Sequence, residues 1–145
     1  MPDWIKLDPA RLSRSETTHV HGVEISVGLS PYDIPDAVRG YYDDDVKRFV
    51  IEFNYLDDSE KRVPSWQNEH ITLYVGQHTG CLYEIHVNVD ELEAKTVKLN
   101  VTFVKWIDDA IQNLTRDKRL ESRKRHYEVA NAVVSENAEQ LFESV

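Results

Sequence analysis

The chain has 145 residues, about the size of one domain, and a net charge of −9 that opposes general binding to a nucleic-acid phosphate backbone. Hydrophobic residues make up 41% and include three Trp, seven Tyr and four Phe, enough apolar surface to offset chain entropy and to exclude a disordered chain. No apolar run approaches the roughly 18 residues that span a bilayer, and Met1-Pro2-Asp3-Trp4 does not open a basic-then-apolar leader. Cys81 is the lone cysteine, so neither an internal disulfide nor a cysteine-based zinc site can be built within one chain. The expectation is a single cytoplasmic domain over 1–145 with no membrane segment.

The N-terminal residues 1–17 suggest a short helix, with Asp8 as N-cap and Pro9 at the first helical position. Alternation then predicts strands. Val23, Ile25, Val27 and Leu29 share one face, as do Phe49, Ile51, Phe53 and Tyr55. Between them, residues 30–45 hold Pro31, Pro35 and Asp43-Asp44-Asp45 and read as a loop, with a short strand or helical turn near 37–42. The polar stretch 57–68, with Pro64 and Trp66, reads as an exposed loop. Further alternating runs follow: Ile71, Leu73 and Val75; Cys81, Tyr83, Ile85, Val87 and Val89; and Val97, Leu99, Val101 and Phe103. One apolar and one wet face per strand suits an antiparallel sheet.

In the hairpin over 69–89, both apolar sets must share a face, which requires a loop with an odd number of residues. His78-Thr79-Gly80 is the natural loop, with Gly80 in the left-handed position. Val75 then faces Tyr83, Leu73 faces Ile85 and Ile71 faces Val87.

After Phe103 the period becomes helical, through Trp106, Ile107, Ala110, Ile111 and Leu114. A second stripe runs Leu120, Tyr127, Ala130, Val134, Ala138, Leu141 and Val145. The two are out of phase, so residues 105–143 form either two helices with a break near Thr115, a plausible N-cap, or one helix that turns its seam. The fold class is α+β: a curved antiparallel sheet of about five strands with C-terminal helices packed on one face.

Four features bear on chemistry. His19-Val20-His21 places two histidines two apart, a spacing that lets both reach one ligand if a strand carries them. His70 and His86 become diagonal neighbours on the polar face of the hairpin, with Glu84 beside them, within joint reach of one ion. Asp43-Asp44-Asp45 reads as an acidic turn, since it lacks the alternate oxygen ligands of a calcium loop. Residues 116–126 carry +4 and leave −13 on the rest of the chain. On a helix, Arg116, Arg119 and Arg123 would form a strip able to dock an acidic partner, and Glu121 would pair with Arg125.

Cys81 falls on the apolar side of its strand, as a buried, inert thiol. The chain contains no nucleophile elbow, no phosphate loop, no dinucleotide fingerprint and no zinc-protease motif, so no cofactor is expected. The function these features favour is a non-catalytic interaction module that self-associates through its C-terminal helix. A homo-oligomer or an acidic protein is the expected partner, and nucleic acid is disfavoured. The alternative is a small-molecule binder or small enzyme with a pocket between sheet and helices, served by His19 and His21.

Overall fold

The computed structural model describes residues 3–7, 16–20, 23–27, 34–56, 60–89, 99–118 and 123–143. Among these, the strands are β1 (Ile5–Lys6), β2 (Glu16–Val20), β3 (Val23–Val27), β4 (Ala37–Asp43), β5 (Arg48–Asn54), β6 (Arg62–Gln67), β7 (Ile71–Gly76) and β8 (Leu82–Val87). The helices, numbered in chain order, are α1 (Leu99–Thr115), α2 (Lys124–Glu136) and α3 (Ala138–Glu143). Six strands form one antiparallel sheet in the order β1-β4-β5-β8-β7-β6, and β2 pairs with β3 in a separate two-stranded sheet. The α+β class holds, with six strands in the main sheet where about five were expected. The N-terminal helix expected from Asp8 and Pro9 lies outside the described residues.

Alternation sets which residues meet. Phe49, Ile51 and Phe53 share a face with Ile85 and Val87 through the β5–β8 register, and with Ile71 and Leu73 through β7–β8. All seven are buried. This is the face on which the helices pack: Phe142 of α3 lies 5.1 Å from Phe49 and 5.5 Å from Phe103 of α1, ring centre to ring centre. Gly40 of β4 belongs to the same face, opposite Ile51. A Cβ there would stand 2.8 Å from the Leu141 carbonyl oxygen, so glycine lets α3 approach the sheet closely.

The β7–β8 hairpin keeps the expected register at Ile71–Val87 and Leu73–Ile85, then shifts by one between Tyr74 and Val75, so that Val75 pairs with Leu82 rather than Tyr83. Gly76 N–H donates to the Cys81 carbonyl at 2.9 Å, making the turn one residue longer than the odd loop; the bulge absorbs the difference. Gly80 takes the left-handed conformation, at φ 73°. The turn is tied from two sides. Glu60 Oε1 accepts the N–H groups of His78 and Thr79, each at 3.0 Å, and the Tyr127 hydroxyl of α2 donates to the Gly80 carbonyl at 2.8 Å. Burial pushes the Glu60 carboxyl upward, but the Thr79, His78 and Tyr83 hydrogen bonds outweigh it and hold the group below its usual range.

Three expectations are corrected. Residues 99–103 are helical, not a strand. Val101 is 74% exposed while Phe103 is 1% exposed, which the shared face of an alternating strand forbids and a helical period allows. A run of four alternating residues matches both periods, since Leu99 and Phe103 are also four apart. The stretch read as an exposed loop contains β6, an edge strand whose polar composition and Pro64 fit a position with a neighbour on one side only. Of the two alternatives at 37–42 the strand is the one present, as β4, closed onto β5 by the Asp44–Lys47 turn. Thr115 ends α1, with its hydroxyl donating to the Gln112 carbonyl at 2.8 Å, and is no N-cap. The helical region does break there, and α2 starts after Arg123 without a side-chain cap.

Candidate functional site

One residue along each strand from the core positions lies the opposite face of the sheet. Arg39, Glu52, Glu84 and Tyr74 occupy one row across β4, β5, β8 and β7; Tyr41, Val50, His86 and Thr72 occupy the next. Two glutamates directly opposite on neighbouring strands repel each other, and here Glu52 faces Glu84. The sheet resolves the conflict from its edge. Arg62 of β6 places one guanidinium nitrogen 2.6 Å from Glu52 Oε2 and 2.8 Å from Glu84 Oε2. Arg39 completes Glu52 from the other side, donating through Nε at 2.8 Å with a second nitrogen at 2.6 Å from the same oxygen. The Arg39 guanidinium in turn lies 4.2 Å from the Trp4 ring centre, a cation–π contact.

The network continues through His86. Its Nε2 is 2.8 Å from Glu84 Oε1, and its Nδ1 is 3.3 Å from a guanidinium nitrogen of Arg48, which also donates to the Tyr74 hydroxyl at 3.3 Å. A guanidinium can only donate. Nδ1 is therefore the acceptor of that contact, which puts the ring proton on Nε2, facing Glu84. That hydrogen bond is the main reason the Glu84 carboxyl sits below its usual range; burial opposes it, and the Arg62 hydrogen bond and the charges of His86 and Arg62 add to it. Tyr41 moves upward, first through burial and then through the charges of Glu52 and Glu84. Val50, Thr72 and His86 are buried on this face, so the ions work at lower effective dielectric than bulk water.

No family model, curated protein or solved structure matches the chain.

The residues singled out from sequence are dispersed. His19 falls in β2, in register with Glu24, and His21 lies outside the described residues. β2 ends at Val20 and β3 begins at Val23. His70 and His86 have different partners. The His70 ring stacks on Trp106 of α1 at 4.0 Å and 7°, whereas His86 belongs to the ionic network. Among the described residues, no group of three His, Cys, Asp or Glu side chains could hold a metal ion. Asp43-Asp44-Asp45 serves turn chemistry: Asp43 Oδ1 accepts the Asp45 N–H at 2.9 Å and Asp44 pairs with Lys47. Cys81 is buried.

The described residues of the basic segment lie at the ends of α1 and α2. Arg116 and Lys118 follow the end of α1, Arg119 and Glu121 lie outside the described residues, and Arg123 precedes α2. Arg125 pairs with Glu128 at 3.6 Å. Arg123 is half-buried, its side chain near Gly80 and its charge acting on the Tyr127 hydroxyl. Arg116, Lys118 and Lys124 are exposed. Of the apolar stripe expected to drive self-association, Tyr127, Ala130, Val134 and Leu141 are buried in the main core. Near its end, a polar depression of about 370 Å³ is lined by Ser135, Glu136, Asn137 and Glu139 at the α2–α3 junction. No helix of the described residues is long and apolar enough to cross a membrane.

The ionic network escaped sequence reasoning. Parity alone placed Glu52, Glu84 and His86 on polar faces. What brings them together is the β5–β8 pairing, across more than thirty residues of chain, and β6, whose polar sequence resembles a loop.

Proposed function

We propose that the chain is a non-catalytic interaction module that docks an acidic partner protein on the connection between α1 and α2. One observation carries the reading: Arg116, Lys118 and Lys124 are exposed at one end of the helix pair, with no ion pair among the described residues, on a protein of net charge −9. Basic groups that are fully hydrated and uncommitted attract an opposite surface at little desolvation cost, and such attraction governs encounter and specificity more than raw affinity. The charged side chains of the sheet face are less suited to this role, because each is already spent on another.

Titrating the chain with a poly-glutamate peptide, by calorimetry at low and at raised salt, tests the reading. Binding is expected at low salt, weakened by added salt through screening, and lost in Arg116→Glu/Lys118→Glu/Lys124→Glu, while the circular dichroism spectrum is retained. Equal binding by that variant, or none by the native chain at low ionic strength, overturns it. Sedimentation velocity on the native chain alone then reports whether a second copy serves as the acidic partner.

A further inference from the structure

We infer that His86 and Arg48 form a proton-operated latch on the ionic face of the sheet: protonation of His86 at Nδ1 expels Arg48 from the network. The inference rests on geometry. Nδ1 accepts from Arg48 at 3.3 Å, and Nε2 donates to Glu84 at 2.8 Å. A proton added at Nδ1 turns the first contact into donor against donor and positive against positive. The same proton strengthens the second, which becomes a charge-assisted bond to a carboxylate. One contact must yield, and the distances indicate which. The short His86–Glu84 bond is reinforced, whereas Arg48 is held, among the described residues, by two contacts of 3.3 Å, to Nδ1 and to the Tyr74 hydroxyl.

Every strand packed around His86 contributes a charged or titratable group. β5 supplies Arg48 and Glu52, β7 supplies Tyr74, and β8 supplies Glu84; beyond them stand Arg62 on β6, and Arg39, Tyr41 and Asp43 on β4. Glu52 and Glu84 share Arg62 and remain in place whether or not Arg48 leaves. Asp43 is the register partner of Arg48 at the rim of the sheet, and it offers the released guanidinium a new counter-charge. Acidification thus moves one positive group from the buried network to the rim and leaves another, the imidazolium, in its place.

Nitrogen-15 NMR of the intact chain tests it. At high pH the His86 signals should report an unprotonated Nδ1 and a protonated Nε2. As the pH falls, the Arg48 Nε signal should shift with the same midpoint as the imidazole. Arg48→Met should move that midpoint upward and Glu84→Gln should move it downward, as expected for removing a nearby like or opposite charge. A tautomer with its proton on Nδ1, an Arg48 signal that ignores the titration, or a midpoint unmoved by Arg48→Met would each overturn the latch. The first two readouts use the native chain, so they stand even if a variant fails to fold, and none involves the basic connection between α1 and α2.

Discussion

On the helix side of the sheet, Phe49, Ile51, Leu73 and Ile85 meet the apolar residues of α1, α2 and α3; on the other side, one residue along the same strands, Arg39, Glu52, Glu84 and His86 meet one another. The first face is held by removing apolar surface from water, which is non-directional and tolerant of repacking. The second depends on donors meeting acceptors at fixed places, and a missing partner leaves a charge stranded at low dielectric. The two faces should therefore fail differently. The apolar face loses much stability when atoms are removed, whereas the ionic face loses most when one partner goes and little when the whole set is replaced by apolar residues.

The largest effect is expected at the centre of the apolar face. Phe103→Ala removes a ring packed between Trp106 and Phe142 and should cost about 4 kcal/mol, from lost burial and the cavity left behind. Urea denaturation with an unchanged slope would register this as a shifted midpoint. A cost no larger than that of an ionic-face variant would break the comparison.

An intermediate effect is expected at Glu84. Glu84→Gln removes the charge and one of the two carboxylate oxygens that accept from Arg62 and His86 and should cost about 2 kcal/mol, the scale of a hydrogen bond to a charged group. This cost depends on pH. The folded carboxyl titrates below its ordinary value of 4.5, so its stabilisation is fully present above about pH 4.5 and disappears as the pH falls through the folded value. Native and variant stabilities should converge in acid. A difference that persists undiminished at low pH would show that Glu84 acts through packing rather than charge.

The two faces were also unequally legible in the sequence. The apolar one could be read almost residue by residue, because burial imposes a period on each strand separately: Phe49, Ile51 and Phe53 need no knowledge of their neighbours. The hairpin register followed from the same parity, and failed only at Tyr74–Val75, where a bulge lets the turn take another residue. The ionic face is a property of strand order. Nothing local to Arg62 says that it spans two glutamates from two other strands, and nothing local to His86 distinguishes a network member from a wet histidine. Leu99–Phe103 was misread for the opposite reason, since so short a run satisfies two periods and only the neighbouring turns decide between them.

The smallest effect is expected where the helix side meets the sheet's end. Burial pushes the Tyr127 hydroxyl up to about 12, against an ordinary value of 10.0, while it donates to the Gly80 carbonyl at 2.8 Å. Tyr127→Phe should cost about 1 kcal/mol at neutral pH, the net worth of one hydrogen bond. For a phenol raised on folding, the stabilisation is fully present below pH 10 and is lost as the pH rises through the folded value. The native chain should therefore lose stability between about pH 10 and 12, and the variant should lose less. Some alkaline loss must remain, because Tyr41 on the ionic face is also raised, by burial and by Glu52 and Glu84. Stability profiles of Tyr127→Phe and Tyr41→Phe across that interval would separate the two faces at one end of the pH scale, as Glu84→Gln tests the ionic face at the other. If Tyr127→Phe left the alkaline loss intact, the anchor between α2 and the hairpin would have to be steric.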